Sequence, residues 1–190
     1  MKRATFALAL TLALSATQAL AVQEVKGVRF ADSYALAGQT LQLNGAGVRV
    51  KFFIDVYAAA LYLPKKEQSA AAVLGAPGVK SVQIVMLRDV SGDDFAEATE
   101  KGFNANHSEE ELARHRPKLQ ELLTLMKSLG TVKKGSVVNI DLQPGGVNIT
   151  VNGTPKGLIA AKEDFAVAVM KNWLGSKPVD GDLKKALLGT

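Results

Sequence analysis

The chain has 190 residues, 47 % hydrophobic and 22 % charged, with 17 Gly and 6 Pro. That composition fits one globular domain and excludes a disordered, collagen-like or coiled-coil chain. Cys is absent, which excludes disulfides, thiolate metal sites, iron–sulfur clusters and a Cys nucleophile. Only His107 and His115 could supply imidazole, with no HExxH spacing, so neither a metal nor a cofactor is expected. The net charge is +5 but dispersed, which argues against a nucleic-acid partner.

Residues 1–21 carry an address. Met1-Lys2-Arg3 is followed by an apolar run from Ala4 to Leu14 and by the small-residue triplet Ala19-Leu20-Ala21. Positive charge, a short apolar core and small residues at the end are the parts of a secretory signal peptide. The run is too short for the ~20 residues of a membrane span. Cleavage after Ala21 is expected, leaving a domain over residues 22–190 in the periplasm or outside the cell. Loss of Lys2 and Arg3 takes the 23 bases to 21 against 18 acids, a net +3. No further membrane-length segment follows.

Strands are predicted at Val25–Phe30 and Gln39–Leu43, with a turn at Asn44-Gly45-Ala46-Gly47. Val48–Leu63 reads as one long strand. A helix could claim its alanines, but Phe52, Phe53, Ile54, Val56 and Tyr57 favour β structure. A short helix is expected over Glu67–Leu74 and a strand over Ser81–Leu87. Ser91 caps a helix over Asp93–Phe103, and Ser108 with Glu111 forms a capping box for the next. Pro117 should kink or restart that second helix.

Further on, Ser136–Leu142, Val147–Val151 and Lys156–Ile159 read as strands separated by turns at Gln143–Gly146 and Asn152-Gly153. Helices over Glu163–Leu174 and Gly181–Leu188 close the chain. The sum is an α+β domain, an antiparallel sheet with helices gathered on one face.

Most catalytic signatures are missing: no nucleophile elbow, P-loop or dinucleotide fingerprint. His107 and His115 read as solvent-facing. The informative stretch is Leu43–Leu63. Arg49 and Tyr57 are eight residues apart, and an even separation puts both on one face of an unbroken strand. A guanidinium fork beside a phenol makes a compact anion receptor. A surface Arg beside a core Tyr, with Ala58–Ala60 admitting a close helix, explains the same spacing without a ligand.

Asn44-Gly45-Ala46-Gly47-Val48-Arg49 followed by Val56–Leu63 resembles the chalcone isomerase superfamily, most of all its bacterial chalcone-isomerase-like branch. Leu87–Phe95, Asn172-Trp173-Leu174-Gly175 and Asp182–Gly189 resemble further stretches of that family in the same order. The resemblance implies an open-faced β-sandwich, a large antiparallel sheet covered by a layer of helices with the ligand cleft between. It also implies that Arg49 matches the arginine holding the ligand's anionic oxygen. Tyr57 matches a position where the isomerases carry Thr and the fatty-acid-binding members carry Tyr. Phe95 stands where the enzymes have a Tyr hydroxyl, Gly102 where they have Asn, and Asn172 where they have Thr or Ser.

No residue is therefore assigned a catalytic role, and Arg49, Tyr57, Phe95 and Asn172 are the expected ligand-binding positions. Loss of oxyanion donors removes most of an enzyme's rate, whereas a fatty carboxylate needs a cation and apolar walls. The expected function is non-catalytic binding of a fatty-acid-like or other amphipathic anion. The alternatives are an intramolecular lyase or isomerase acting on an enone, and an interaction protein with no small ligand.

Overall fold

A computed structural model describes residues 22–190; the expected signal peptide over residues 1–21 and the cleavage expected after Ala21 lie outside the described residues. Four two-residue turns, each with positive φ at both positions, fold its strands into hairpins. They are Lys26-Gly27, Ala37-Gly38, Phe52-Phe53 and Asn152-Gly153. Positive φ at both positions matches the right-handed twist of flanking strands. The first turn joins β1 (Val22–Val25) to β2 (Val28–Ala31), which splits the strand expected over Val25–Phe30. The second joins β3 (Ser33–Leu36) to β4 (Gln39–Lys51), and the third joins β4 to β5 (Ile54–Leu63).

The long strand expected over Val48–Leu63 is thus two antiparallel strands, the end of β4 and the whole of β5, joined by a turn at two phenylalanines. Asn44–Gly47 is no turn either: it continues β4, with Asn44 as the extra residue of a bulge. Glycine serves there for close approach. A Cβ at Gly47 would come within 2.5 Å of the Ala186 Cβ, on the helix that crosses the strand.

After α1 (Ala70–Gly75) come β6 (Lys80–Met86) and the short β7 (Val90–Ser91). α2 (Gly92–Ala105) starts at the Ser91 cap with Asp93 and Asp94 in its first turn. α3 (Glu109–Ser128) has the full Ser108–Glu111 capping box. It does not restart at Pro117. The bond lost to proline falls where Ala113 and Pro117 both face solvent, so water can take the free carbonyl. β8 (Thr131–Val132) pairs with β7. β9 (Val137–Gln143), β10 (Gly146–Val151) and β11 (Thr154–Ala160) complete the sheet. α4 (Glu163–Leu174) and α5 (Gly181–Leu188) have the predicted bounds.

The main sheet runs β11-β10-β9-β6-β5-β4-β3, antiparallel throughout. One face carries Ala59, Leu61, Ile84, Val138, Ile140 and Ile149, buried beneath the helices. The buried face of α3 places His115, Leu119, Leu122, Leu123 and Met126 at helical spacing. His115 is therefore not solvent-facing. It lies edge-on to Phe103, near Phe165, while half-buried His107 stacks on Phe103 at 4.2 Å. The aromatic body of imidazole lets it fill an apolar seam between helices.

The opposite face packs Leu41, Ala58, Ala60 and Tyr62 against Phe30 of the β1–β2 hairpin. It also holds a polar cluster. Ser81 donates to Asp141 at 2.6 Å and the Tyr34 hydroxyl donates to the other carboxylate oxygen at 3.2 Å. Burial nevertheless pushes the Asp141 carboxyl above its ordinary 3.8. The folded state then holds that proton more tightly than the unfolded chain. Stability present below pH 3.8 is lost as pH rises through the folded value. In calorimetry across pH, Asp141→Asn should gain Tm relative to wild type on passing from acid to neutral pH. A constant difference would show that the carboxyl is not destabilised by burial.

Candidate functional site

Arg49 and Tyr57 face each other across the β4–β5 hairpin as directly paired residues. They share a face, as the spacing suggests, but through cross-strand pairing and not along one strand. The guanidinium carbon lies 5.6 Å from the centroid of the Tyr57 ring, within cation–π range. Tyr57 is buried at 3 % exposure and its hydroxyl accepts a hydrogen bond from Trp173 Nε1 at 3.0 Å. Burial raises its pKa, against the lowering effects of Arg49 and of the Trp173 bond. The phenol is held neutral, a platform beneath the guanidinium.

Arg49 sits in the wall of an open cleft of about 580 Å³, within the range of small-molecule sites. The hairpin supplies Arg49, Val50, Lys51 and Val56; α2 supplies Asp94, Glu97, Ala98, Lys101, Gly102 and Ala105. Arg88 and Asp89 come from the link between β6 and β7, Val90 from β7 itself, and Lys177, Pro178 and Val179 from the link between α4 and α5. Asn106 fixes that last segment. Its side chain accepts from the Lys177 N–H at 2.9 Å and donates to the carbonyls of Lys177 and Gly102.

Five cations line the cleft against three acids. One acid, Asp89, is occupied by the Lys134 N–H at 2.8 Å and the Lys133 ammonium at 2.9 Å, which hold its carboxyl below 3.8. Asp94 accepts the hydroxyl of its own helix cap, Ser91, at 2.6 Å. The field in the cleft is positive. Behind its surface the Nε of Arg49 is buried with no acceptor in the protein, which costs free energy. None of the residues lining this cleft carries a hydroxyl or an imidazole.

The other expected positions stand behind the cleft wall. Phe95 is 6 % exposed, packed in the helix-side core. Asn172 is 2 % exposed, and its Oδ1 has no hydrogen-bond partner. That oxygen lies against Gly102, where a Cβ would collide with it. Arg49 alone of the four is exposed to the cleft. Trp173, the chain's single tryptophan, orients Tyr57. Lys101 and Lys177 supply charge from elements remote in sequence. None of these three was singled out in the sequence.

Residues 22–189 match the profile of the chalcone isomerase-like family. The chain belongs to that family. Its fold is shared with a solved fatty-acid binding protein of Arabidopsis thaliana, at a TM-score of 0.65 and 15 % identity. The superposition covers 85 % of this chain and 92 % of that one. At such identity the likeness concerns the fold. No curated protein matches the sequence. The family's open-faced arrangement accounts for the cleft, which opens between the hairpin end of the sheet and α2.

Proposed function

We propose that this chain is a non-catalytic binding protein for an amphipathic anion of the fatty-acid type. Arg49 holds the carboxylate, and Val50, Val56, Val90, Ala98 and Val179 contact the hydrocarbon. The observation that carries the reading is the Arg49 guanidinium in the wall of a net-positive cleft. A carboxylate offers that group a charge-assisted bond of the stronger kind. The fatty-acid binding neighbour supports the same ligand class.

Export belongs to the proposal: the leader over residues 1–21 sends the domain to the periplasm or beyond. Secreted protein should begin at Val22, and N-terminal sequencing that finds Met1 would refute this part. Among the described residues no helix is long and apolar enough to cross a membrane.

The test of binding is calorimetric titration of delipidated protein with a series of saturated fatty acids. Saturable binding is expected, tightening by up to ~0.8 kcal/mol per added methylene until the cleft is full. Absence of binding across the series would overturn the reading.

A further inference from the structure

We propose that the tip of the β4–β5 hairpin docks the protein on an anionic lipid bilayer, with Phe52 and Phe53 entering the boundary between headgroups and acyl chains. Of the six large apolar side chains exposed among the described residues, four are Val50, Phe52, Phe53 and Ile54. Phe52 is 83 % exposed and Phe53 fully so. Neither ring packs on the fold.

Their backbone makes the choice of residue harder to explain by folding. The other three two-residue turns with positive φ at both positions end in Gly, which adopts that conformation without strain. Here φ is 49° at Phe52 and 66° at Phe53, a region that bulky side chains avoid. Strain held by residues that contribute nothing to the core points to a role outside it.

The tip also projects. β3 pairs with β4 only as far as Gln42, and β6 pairs with β5 only from Tyr57. Val50–Asp55 therefore lies beyond both neighbouring strands, tied back at its base where the Val50 N–H donates to Asp180 and Asp55 pairs with Lys26. About two residues per strand at ~3.3 Å each give a free reach of roughly 7 Å, within the depth at which interfacial groups sit. A stable protein partner would need a patch of ~800 Å², broader than a narrow ribbon end.

The surrounding charge selects the lipid. Lys51 Nζ lies 5.8 Å from the Phe52 ring centroid, and exposed Arg88, Lys101 and Lys177 ring the adjoining cleft. Among the described residues none of the four forms an ion pair. Cations beside an aromatic tip suit an anionic bilayer surface. Val50 and Lys51 line the cleft as well, so docking would bring its mouth to the bilayer. That consequence, though not the docking itself, rests on the fatty-acid reading.

The experiment compares wild type with the double variant Phe52→Asn, Phe53→Gly, the pair that such turns prefer. Both are isolated as their host processes them, so anything contributed by the leading residues is common to the two. Co-sedimentation is measured with phosphatidylcholine vesicles, with and without one-third phosphatidylglycerol. Wild type should partition to the anionic vesicles, less so as salt rises, and the variant should bind them roughly 10–100-fold more weakly. The variant should also melt about 2–6 °C higher and keep its affinity for dissolved fatty acid.

Equal partition of the two proteins, or none for wild type, would overturn the proposal. A concentration-dependent dimer lost in the variant would overturn it in favour of self-association. Vesicle binding that persists when calorimetry detects no fatty-acid binding would sink only the ligand reading.

Discussion

Arg49→Ala is expected to weaken fatty-acid binding by roughly 10–150-fold in the calorimetric titration. A hydrogen bond to a charged group contributes ~1.5–3 kcal/mol net, and ~1.4 kcal/mol is tenfold in affinity. Arg49→Lys should fall between. It keeps the charge but loses the planar fork that stacks 5.6 Å from the Tyr57 ring centroid. Tyr57→Phe separates contact from support. Its hydroxyl is engaged by Trp173 and buried behind the wall, so affinity should stay within about threefold of wild type. Stability should instead fall by ~1–3 kcal/mol, because Trp173 Nε1 is left buried without an acceptor. Unchanged affinity in Arg49→Ala would remove Arg49 from the site.

Sequence pattern disclosed most of this architecture where the determining forces are local. The caps at Ser91 and Ser108 lie within a few residues of what they specify. It misled where a distant element decides. Asn44–Gly47 has the composition of a turn, yet those glycines admit α5, some 140 residues later in the chain. Phe52-Phe53 has the propensity of a strand, and only the pairing of Lys51 with Ile54 reveals a turn.

The same division runs through the site. Arg49 was legible because a cation after a Gly-rich stretch stands out, and the family resemblance reinforced it. Tyr57 was placed on the correct face by a coincidence of parity, since directly paired hairpin residues share a face just as alternate strand residues do. Lys101, Lys177 and Trp173 reach the site through helix packing, which leaves no short-range trace. The quoted stretch Asn172–Gly175 contained the signal for Trp173: a lone Trp in a buried helix face needs an acceptor for its N–H.

Gly45→Ala should destabilise the fold by about 3 kcal/mol, roughly 6–12 °C in Tm. A Cβ there would collide with the Ala186 carbonyl oxygen and lie 2.9 Å from that of Leu187. Both are backbone atoms, so no rotamer change can clear them. The helix cannot easily withdraw, because the bulged Asn44 donates to the Leu187 carbonyl at 2.8 Å and to the Glu67 carbonyl at 3.0 Å. The other end of α5 is tied to the hairpin as well. Asp180 caps the helix through Oδ1 and accepts the Val50 N–H at 2.9 Å through Oδ2. Lifting α5 would thus disturb the strand beside Arg49. Gly181→Ala is the control: it lies in the first turn of the same helix, with open space where its Cβ would go. It should be neutral or stabilising by about 0.4–1 kcal/mol. Thermal denaturation of the two variants decides the matter, and a Gly45→Ala protein as stable as Gly181→Ala would mean that α5 does not hold the sheet at this distance.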